Sequence, residues 1–373
     1  MRAGRIRLKR FRFQTYPLGQ SDYLFPLVKS SRLSRTLRPF IWRPGGFVPG
    51  LESLETGHGL LARQDVTAAI GPPDLARHPL TVVELAGGKI ISNVRLAATA
   101  DDVVIGGVQS LFGSADPQNH HLLHRRRLRF PKFRRGTALL LGGSNCDNYY
   151  HWLLDSLPRW KILSAAGYAD YDYVLLHDRP AKFQEELLDR LRVPAAKRLR
   201  CSKNFVHQFE RLVVPAMPAP LEAVPAWACA WLRSLFPEKS SGPEKIYLAR
   251  PEMGRRRLVN QAELRTALEA LGFVTLQPEH MSVAEQAGLL RSARCVVAPH
   301  GAALTNLIFA PPGALLLELF HPSHKNRCYV NLAAACGHRY ASLDGQAILT
   351  DDDQRLEYKV DVSGVLETLS GTM

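Results

Sequence analysis

The sequence has only six cysteines in 373 residues (146, 201, 229, 295, 328 and 336), with no CxxC pair and no tight Cys/His cluster among them. Such scatter excludes a zinc ribbon and a disulfide framework and fits a reducing compartment. No apolar run approaches the ~18 residues that cross a bilayer, so no transmembrane helix is expected. The opening stretch MRAGRIRLKRFRF is basic and has no apolar core of a secretory signal. Acidic residues are short: 34 Asp and Glu stand against 48 Lys and Arg, a net charge of +14. That balance points to anionic partners (nucleotide phosphates, nucleic acid or an acidic membrane surface) and is silent about fold. There is no internal repeat or low-complexity tract, and no helix-turn-helix, RRM or KH signature. What is present is ordinary globular material, 46% hydrophobic and 22% charged. It excludes wholesale disorder, and the length suggests about two domains.

Residues 1–45 carry eleven Lys/Arg against one acid, Asp22, and read as a basic arm, either solvated or tethered to anionic lipid. A second basic block, Arg125 to Arg135, interleaves charge with Phe130 and Phe133. Short Val/Ile/Leu runs between turn residues predict strands at 81–85, 89–91 and 102–105. Strand–helix alternation follows: strands at 138–141, 173–176 and 212–214, helices over 148–163 (interrupted at Pro158) and 183–191. Four prolines in the eleven residues 215–225 mark a hinge. Beyond it the alternation is cleaner, with strands at 245–249, 273–276, 295–298 and 314–319. Capping-box pairs, Asn260/Glu263 and Ser282/Glu285, are expected to open two of the helices. Near-continuous apolar strands between helices imply a parallel sheet covered on both faces, an α/β fold. The expected domains are 46–215 and 216–345, with a tail, 346–373, packing back on the first.

Three segments carry chemistry. In Cys295-Val-Val-Ala-Pro-His300-Gly301-Ala302-Ala303-Leu304-Thr305-Asn306 a buried strand ends in a Gly turn before a helix. Ligands bind beyond the carboxyl ends of such strands, and helix N-termini present N–H groups to phosphate. His300, Thr305 and Asn306 are candidate donors there; Gly301 and Ala302 allow close backbone approach. Glu318, ending the next apolar strand, is placed to accept from ribose hydroxyls or to pair with an arginine. Arg250, at the end of strand 245–249, and Arg255-Arg256-Arg257 bring cations to the same edge, suited to diphosphate. In the first half, Asn148-Tyr149-Tyr150-His151-Trp152-Leu153-Leu154-Asp155 sets His151 and Asp155 at i and i+4 on one helix face. They suit a general base and its orienting carboxylate, in either assignment, or a structural hydrogen bond. Asp170-Tyr171-Asp172 and Asp351-Asp352-Asp353 read as turn acids and His120, His121 and His124 as loop residues, so no metal site is expected.

These segments, in this order, resemble glycosyltransferase family 61: Asn148 through Asp155 to Arg159, Tyr247-Leu-Ala-Arg250 through Arg256 to Asn260, and Gln286 through His300-Gly-Ala-Ala-Leu-Thr-Asn306 to Glu318. The resemblance covers roughly residues 140–320. It implies a GT-B fold, two Rossmann-like doubly wound domains facing a cleft, and inverting sugar transfer from a nucleotide-sugar donor without an essential metal or cofactor. Under it Arg250, Arg256, His300, Gly301, Ala302, Thr305, Asn306 and Glu318 form the donor site in the second domain, and His151 and Asp155 are the catalytic pair on the acceptor side. It further implies a bacterial-type member in capsular or lipopolysaccharide glycan assembly, with a glycan or lipid-linked glycan acceptor. The expected location is cytoplasmic, peripheral on the inner membrane face, with no specific nucleic-acid partner. The competing readings are a non-catalytic basic surface or nucleic-acid binder and a catalytically inactive GT-B assembly subunit.

Overall fold

The computed structural model describes residues 8–11, 23–26, 39–41, 46–48, 51–70, 79–91, 96–106, 108, 127–143, 145–201, 205–219, 223–237, 242–251, 256–348 and 356–372. Most of the basic arm, Arg125, Arg126, the histidines at 120, 121 and 124, Arg255 and Asp351–Asp353 lie outside them. The chain divides into two compact units. The first comprises 1–147, 155–181 and 192–218; the second comprises 148–154, 182–191 and 219–373. The division at 218/219 falls inside the proline-rich stretch.

The first unit is built on a mixed sheet. Strands Arg198–Cys201, Tyr173–His177, Lys132–Leu140 and Val206–Pro215 run parallel as neighbours. Thr81–Ala86 and Lys89–Ile91 then pair antiparallel with Val206–Pro215. This half is therefore not the uniform doubly wound sheet expected. Residues 81–86 and 89–91 run in succession along Val206–Pro215, and 96–98 and 103–105 add further antiparallel neighbours, which need no crossover helix. Val83, Leu85, Ile90, Leu140, Leu175, Phe209 and Leu212 share its core. Asp172 serves as a turn acid: its carboxylate accepts from the Thr137 amide at 2.8 Å, close against Gly136, whose positive φ of 92° suits glycine.

The second unit holds a five-stranded, all-parallel sheet in the spatial order Val274–Leu276, Lys245–Leu248, Cys295–Pro299, Leu315–Phe320, Arg339–Asp344. Numbered along the chain, that is the doubly wound order 2-1-3-4-5, with its switch point between strands 245–248 and 295–299. Strands 295–299 and 315–320 are buried along their whole length, as their unbroken apolar sequence requires. The capping box at Ser282 forms: its hydroxyl accepts from the Glu285 amide, and Glu285 reaches back to the Ser282 amide. The one expected at Asn260 does not. The Asn260 side chain is committed to both backbone groups of Val360, at 2.9 and 3.1 Å, and to Glu263 at 3.0 Å. The closing stretch 356–372, expected to reach towards the first half, contributes Tyr358, Val360, Val365 and Leu369 to the core of the second unit beside Tyr247, Leu264 and Leu268. Among the described residues no helix is long and apolar enough to cross a membrane.

Candidate functional site

At the switch point, strand 245–248 leads into Arg250 and strand 295–299 into His300 and Gly301. These two strands pair directly, so the two ends are brought side by side. Arg250 is fixed along its backbone and at its tip. The side-chain amide of Gln261 accepts from the Arg250 N–H at 2.8 Å and donates to its carbonyl at 2.9 Å. The guanidinium Nη1 donates to the His300 carbonyl at 2.6 Å. Burial lowers the Arg250 pKa from its very high ordinary value, and the group remains a cation at neutral pH. Gly301 is required by approach: a Cβ there would lie 2.6 Å from Arg250 Nη1. Its φ of 174° is ordinary extended backbone, so the contact decides and not the torsion.

His300 is buried, and the orientation of its ring follows from its partners. Nδ1 lies 2.5 Å from Glu318 Oε1, and Nε2 lies 3.0 Å from Asn326 Nδ2. The Asn326 carbonyl oxygen accepts from the Cys328 amide, so its NH₂ faces His300 and donates. Nε2 therefore accepts, and the imidazole proton sits on Nδ1, directed at Glu318. The ring stacks on Phe320 with centroids 5.1 Å apart and meets Tyr329 at 5.3 Å. Glu318 is fully buried, and its second oxygen accepts from the Tyr340 hydroxyl at 2.8 Å. The carboxylate read as a ribose acceptor thus has both oxygens engaged by protein donors, and His300 directs its proton inward, not at a ligand. Two protein donors compensate the cost of burying Glu318.

Thr305 and Asn306, read as ligand donors, are also fully buried. They lie in the 3-10 helix Ala302–Phe309, where the sequence predicts a short helix. The Asn306 amide donates to Gln286 Oε1 at 2.6 Å and to the Ala303 carbonyl at 3.0 Å. Its oxygen accepts from the Tyr149 hydroxyl at 2.8 Å. The backbone of Gly301 and Ala302 forms the turn itself, with the Arg250 guanidinium against the His300 carbonyl beside it. Arg256 stands in the left-handed region, φ 61°, which is unfavourable for a residue that carries a Cβ. Its charge helps to lower the pKa of the Tyr329 and Tyr358 phenols against the larger upward effect of their burial. Arg257 is a structural cation, paired bidentately with Glu357 at 2.9 and 3.1 Å.

His151 belongs to residues 148–154, which group with the second unit, whereas Asp155 groups with the first. Asn148 caps the segment, its side chain accepting from the Tyr150 amide at 2.9 Å. The α-helical turn Tyr149–His151 passes into a π-helical turn, Trp152–Ser156. The π turn shifts the register, so His151 and Asp155 lie on one helical run without the plain α-helical i, i+4 geometry. Leu153, Leu154 and Leu157 are buried. The Tyr150 ring meets Tyr329 edge-on at 5.7 Å, and Tyr329 meets His300. The structure thereby links the His151 segment to the His300–Gly301 turn within one unit. Gln261, Asn326, Tyr329 and Tyr340 carry no motif signal of their own; only pairing across the sheet edge reveals them.

Residues 149–317 match the Glycosyltransferase 61 family. The glycosyltransferase 61 match opens at Tyr149 and takes in Arg250, Arg256 and the His300 turn, stopping one residue before Glu318. A beta-1,2-xylosyltransferase, XYXT1, of Oryza sativa subsp. japonica is 26% identical over 203 residues, 48% of this chain and 43% of that protein. A protein O-linked-mannose beta-1,4-N-acetylglucosaminyltransferase 2 of Tetraodon nigroviridis is 40% identical over 220 residues, 51% of this chain and 38% of its own. An EGF domain-specific O-linked N-acetylglucosamine transferase of Drosophila melanogaster is 30% identical over 102 residues, 26% and 19% respectively. The chain spans less than half the length of each. All three are named as transferases of a sugar, xylose or N-acetylglucosamine, and the matched segment is similar to them.

Proposed function

We propose that this protein is an inverting glycosyltransferase that moves a sugar from a nucleotide-sugar donor to a glycan hydroxyl without an essential metal. The observation that carries the reading is Arg250 and the His300–Gly301 turn, placed side by side at the switch point of a 2-1-3-4-5 parallel sheet. The diphosphate is held by the turn backbone and by the Arg250 and Arg256 guanidiniums, whose fixed positive charge stabilises the leaving group. His151 or Asp155 takes the proton from the acceptor hydroxyl. The acceptor oxygen attacks the anomeric carbon as the bond to the diphosphate breaks, inverting that carbon. The π turn at 152–156 supports a functional role for this segment, since such turns concentrate at functional sites. A GT-B pairing of the two units belongs to the same proposal, supported by the α/β character of both and the proline-rich division between them. A cytoplasmic location at a membrane face, with a lipid-linked acceptor, draws on the net charge of +14 and the basic opening arm. Capsular or lipopolysaccharide assembly is carried over from the resemblance alone; the relatives, from a plant, a fish and an insect, bear on sugar transfer and not on that setting.

Thermal shift with UDP- and GDP-sugars, with and without EDTA, tests the donor half. Stabilisation that survives EDTA is expected; no shift with any nucleotide sugar would overturn it. Arg250→Ala removes a charge-assisted contact and should weaken donor binding about 10- to 100-fold. His151→Ala or Asp155→Ala should abolish turnover and leave donor binding within about twofold; full activity in both variants would remove the base assignment.

A further inference from the structure

The α-helical turn that opens at Tyr149 is only three residues long and cannot hold its position by itself. Its place depends on what its side chains reach, and one of those ties leads to the donor turn. The Tyr149 hydroxyl donates to Asn306 Oδ1 at 2.8 Å, inside the helix that follows Gly301. Asn306 in turn donates to Gln286 Oε1 at 2.6 Å. The Gln286 amide donates to the carbonyls of Pro278 and Met281 at 3.0 and 3.1 Å. Both amide groups are fully used in one orientation, so the Asn306 oxygen can only accept and Tyr149 must donate. Burial raises the phenol's pKa well above its ordinary value, with the Glu186 carboxylate adding to the effect, so the hydroxyl keeps its proton at every pH of interest. The ring is braced edge-on by Phe183, centroids 5.2 Å apart.

We propose that Tyr149 is a positioning residue: through Asn306 it locks the segment bearing His151 to the turn bearing His300 and Gly301, setting the acceptor base relative to the bound donor. This rests on the glycosyltransferase reading above. Tyr149 touches neither donor nor acceptor in this assignment; it acts through Asn306 and through the helical turn that it begins.

The test is Tyr149→Phe, which keeps the ring against Phe183 and removes only the hydroxyl. Hydrogen exchange followed by mass spectrometry should show peptides over 148–156 and 302–307 exchanging about tenfold faster together, with the rest of the second sheet unchanged. In steady-state kinetics kcat for transfer should fall about tenfold with the donor KM within twofold, because misplacement costs the reacting geometry and not donor affinity. Gln286→Met, which frees Asn306 from the other side, should give the same kcat-against-KM split in milder form, and it keeps the question decidable should the Phe variant fold poorly. Unchanged exchange over 148–156, unchanged kcat, or a kcat loss matched by an equal loss of donor binding would each overturn the proposal. If the unmodified protein binds nucleotide sugars and transfers, the variants decide the matter on their own. If it neither binds nor transfers, the glycosyltransferase reading fails first and the positioning role falls with it.

Discussion

A buried carboxylate, a buried amide and a missing Cβ decide most of what the His300–Gly301 turn can do. Glu318 has a direct partner in His300 and another in Tyr340, so its negative charge is spent on fixing a neutral imidazole with its proton on Nδ1. Glu318→Gln places an N–H donor opposite one of two existing donors. The expected cost is about 1–3 kcal/mol, read as a lower urea midpoint with an unchanged slope. Gly301→Ala works differently. The new methyl meets the far end of the Arg250 side chain, which can swing away cheaply, so stability should hold while the guanidinium leaves the His300 carbonyl. About tenfold weaker binding of a nucleotide sugar in calorimetry, with the unfolding midpoint unchanged, is the expected result. Arg250, Gly301 and His300 are legible in the sequence because strand ends and Gly turns announce themselves. The inward aim of Glu318 and Asn306 is not, because which way a polar side chain faces depends on partners far along the chain: Tyr340, Gln286 and Tyr149.

Among elements, the helix Val283–Leu290 shows how local signal and tertiary contact add. Ser282 caps it as its sequence requires, and the Glu186 carboxylate also accepts from the Val283 and Ala284 amides, each at 2.8 Å. Ser282→Ala should therefore cost about 1 kcal/mol, near the middle of the usual range for a lost N-cap, and not unfold the helix, since a second anion still faces its N-terminus. Circular dichroism during chemical unfolding reads this directly. Asn260 carries the same capping signature and lacks the cap, because the Val360 backbone competes for its side chain and wins by supplying both a donor and an acceptor. The final helix, Val362–Thr372, has two glycines and a weak intrinsic preference; the burial of Val365 and Leu369 holds it in place.

For the whole molecule, pH sensitivity offers a handle on the first unit. His207 is buried between Phe205 and Phe209 on one face of its strand, near Arg134, and burial together with the Arg134 and Lys132 charges lowers its pKa to about 4. Between that value and the unfolded value near 6.5 the unfolded chain binds a proton that the folded chain refuses, so stability falls as pH drops through this window. Thermal unfolding at pH 5 and pH 7 should show a loss that His207→Gln reduces; equal losses in both would refute it. The sequence by itself determined the alternation of strand and helix beyond residue 245, the glycine turn after the third strand of that sheet and the cations near it, because unbroken apolar runs and turn residues act locally. Tertiary structure alone decided the antiparallel strands of the first sheet, the recruitment of residues 148–154 to the second unit, and the facing of each buried polar group. Those outcomes depend on pairing and hydrogen bonding between residues remote in the chain, whose geometry no local pattern encodes.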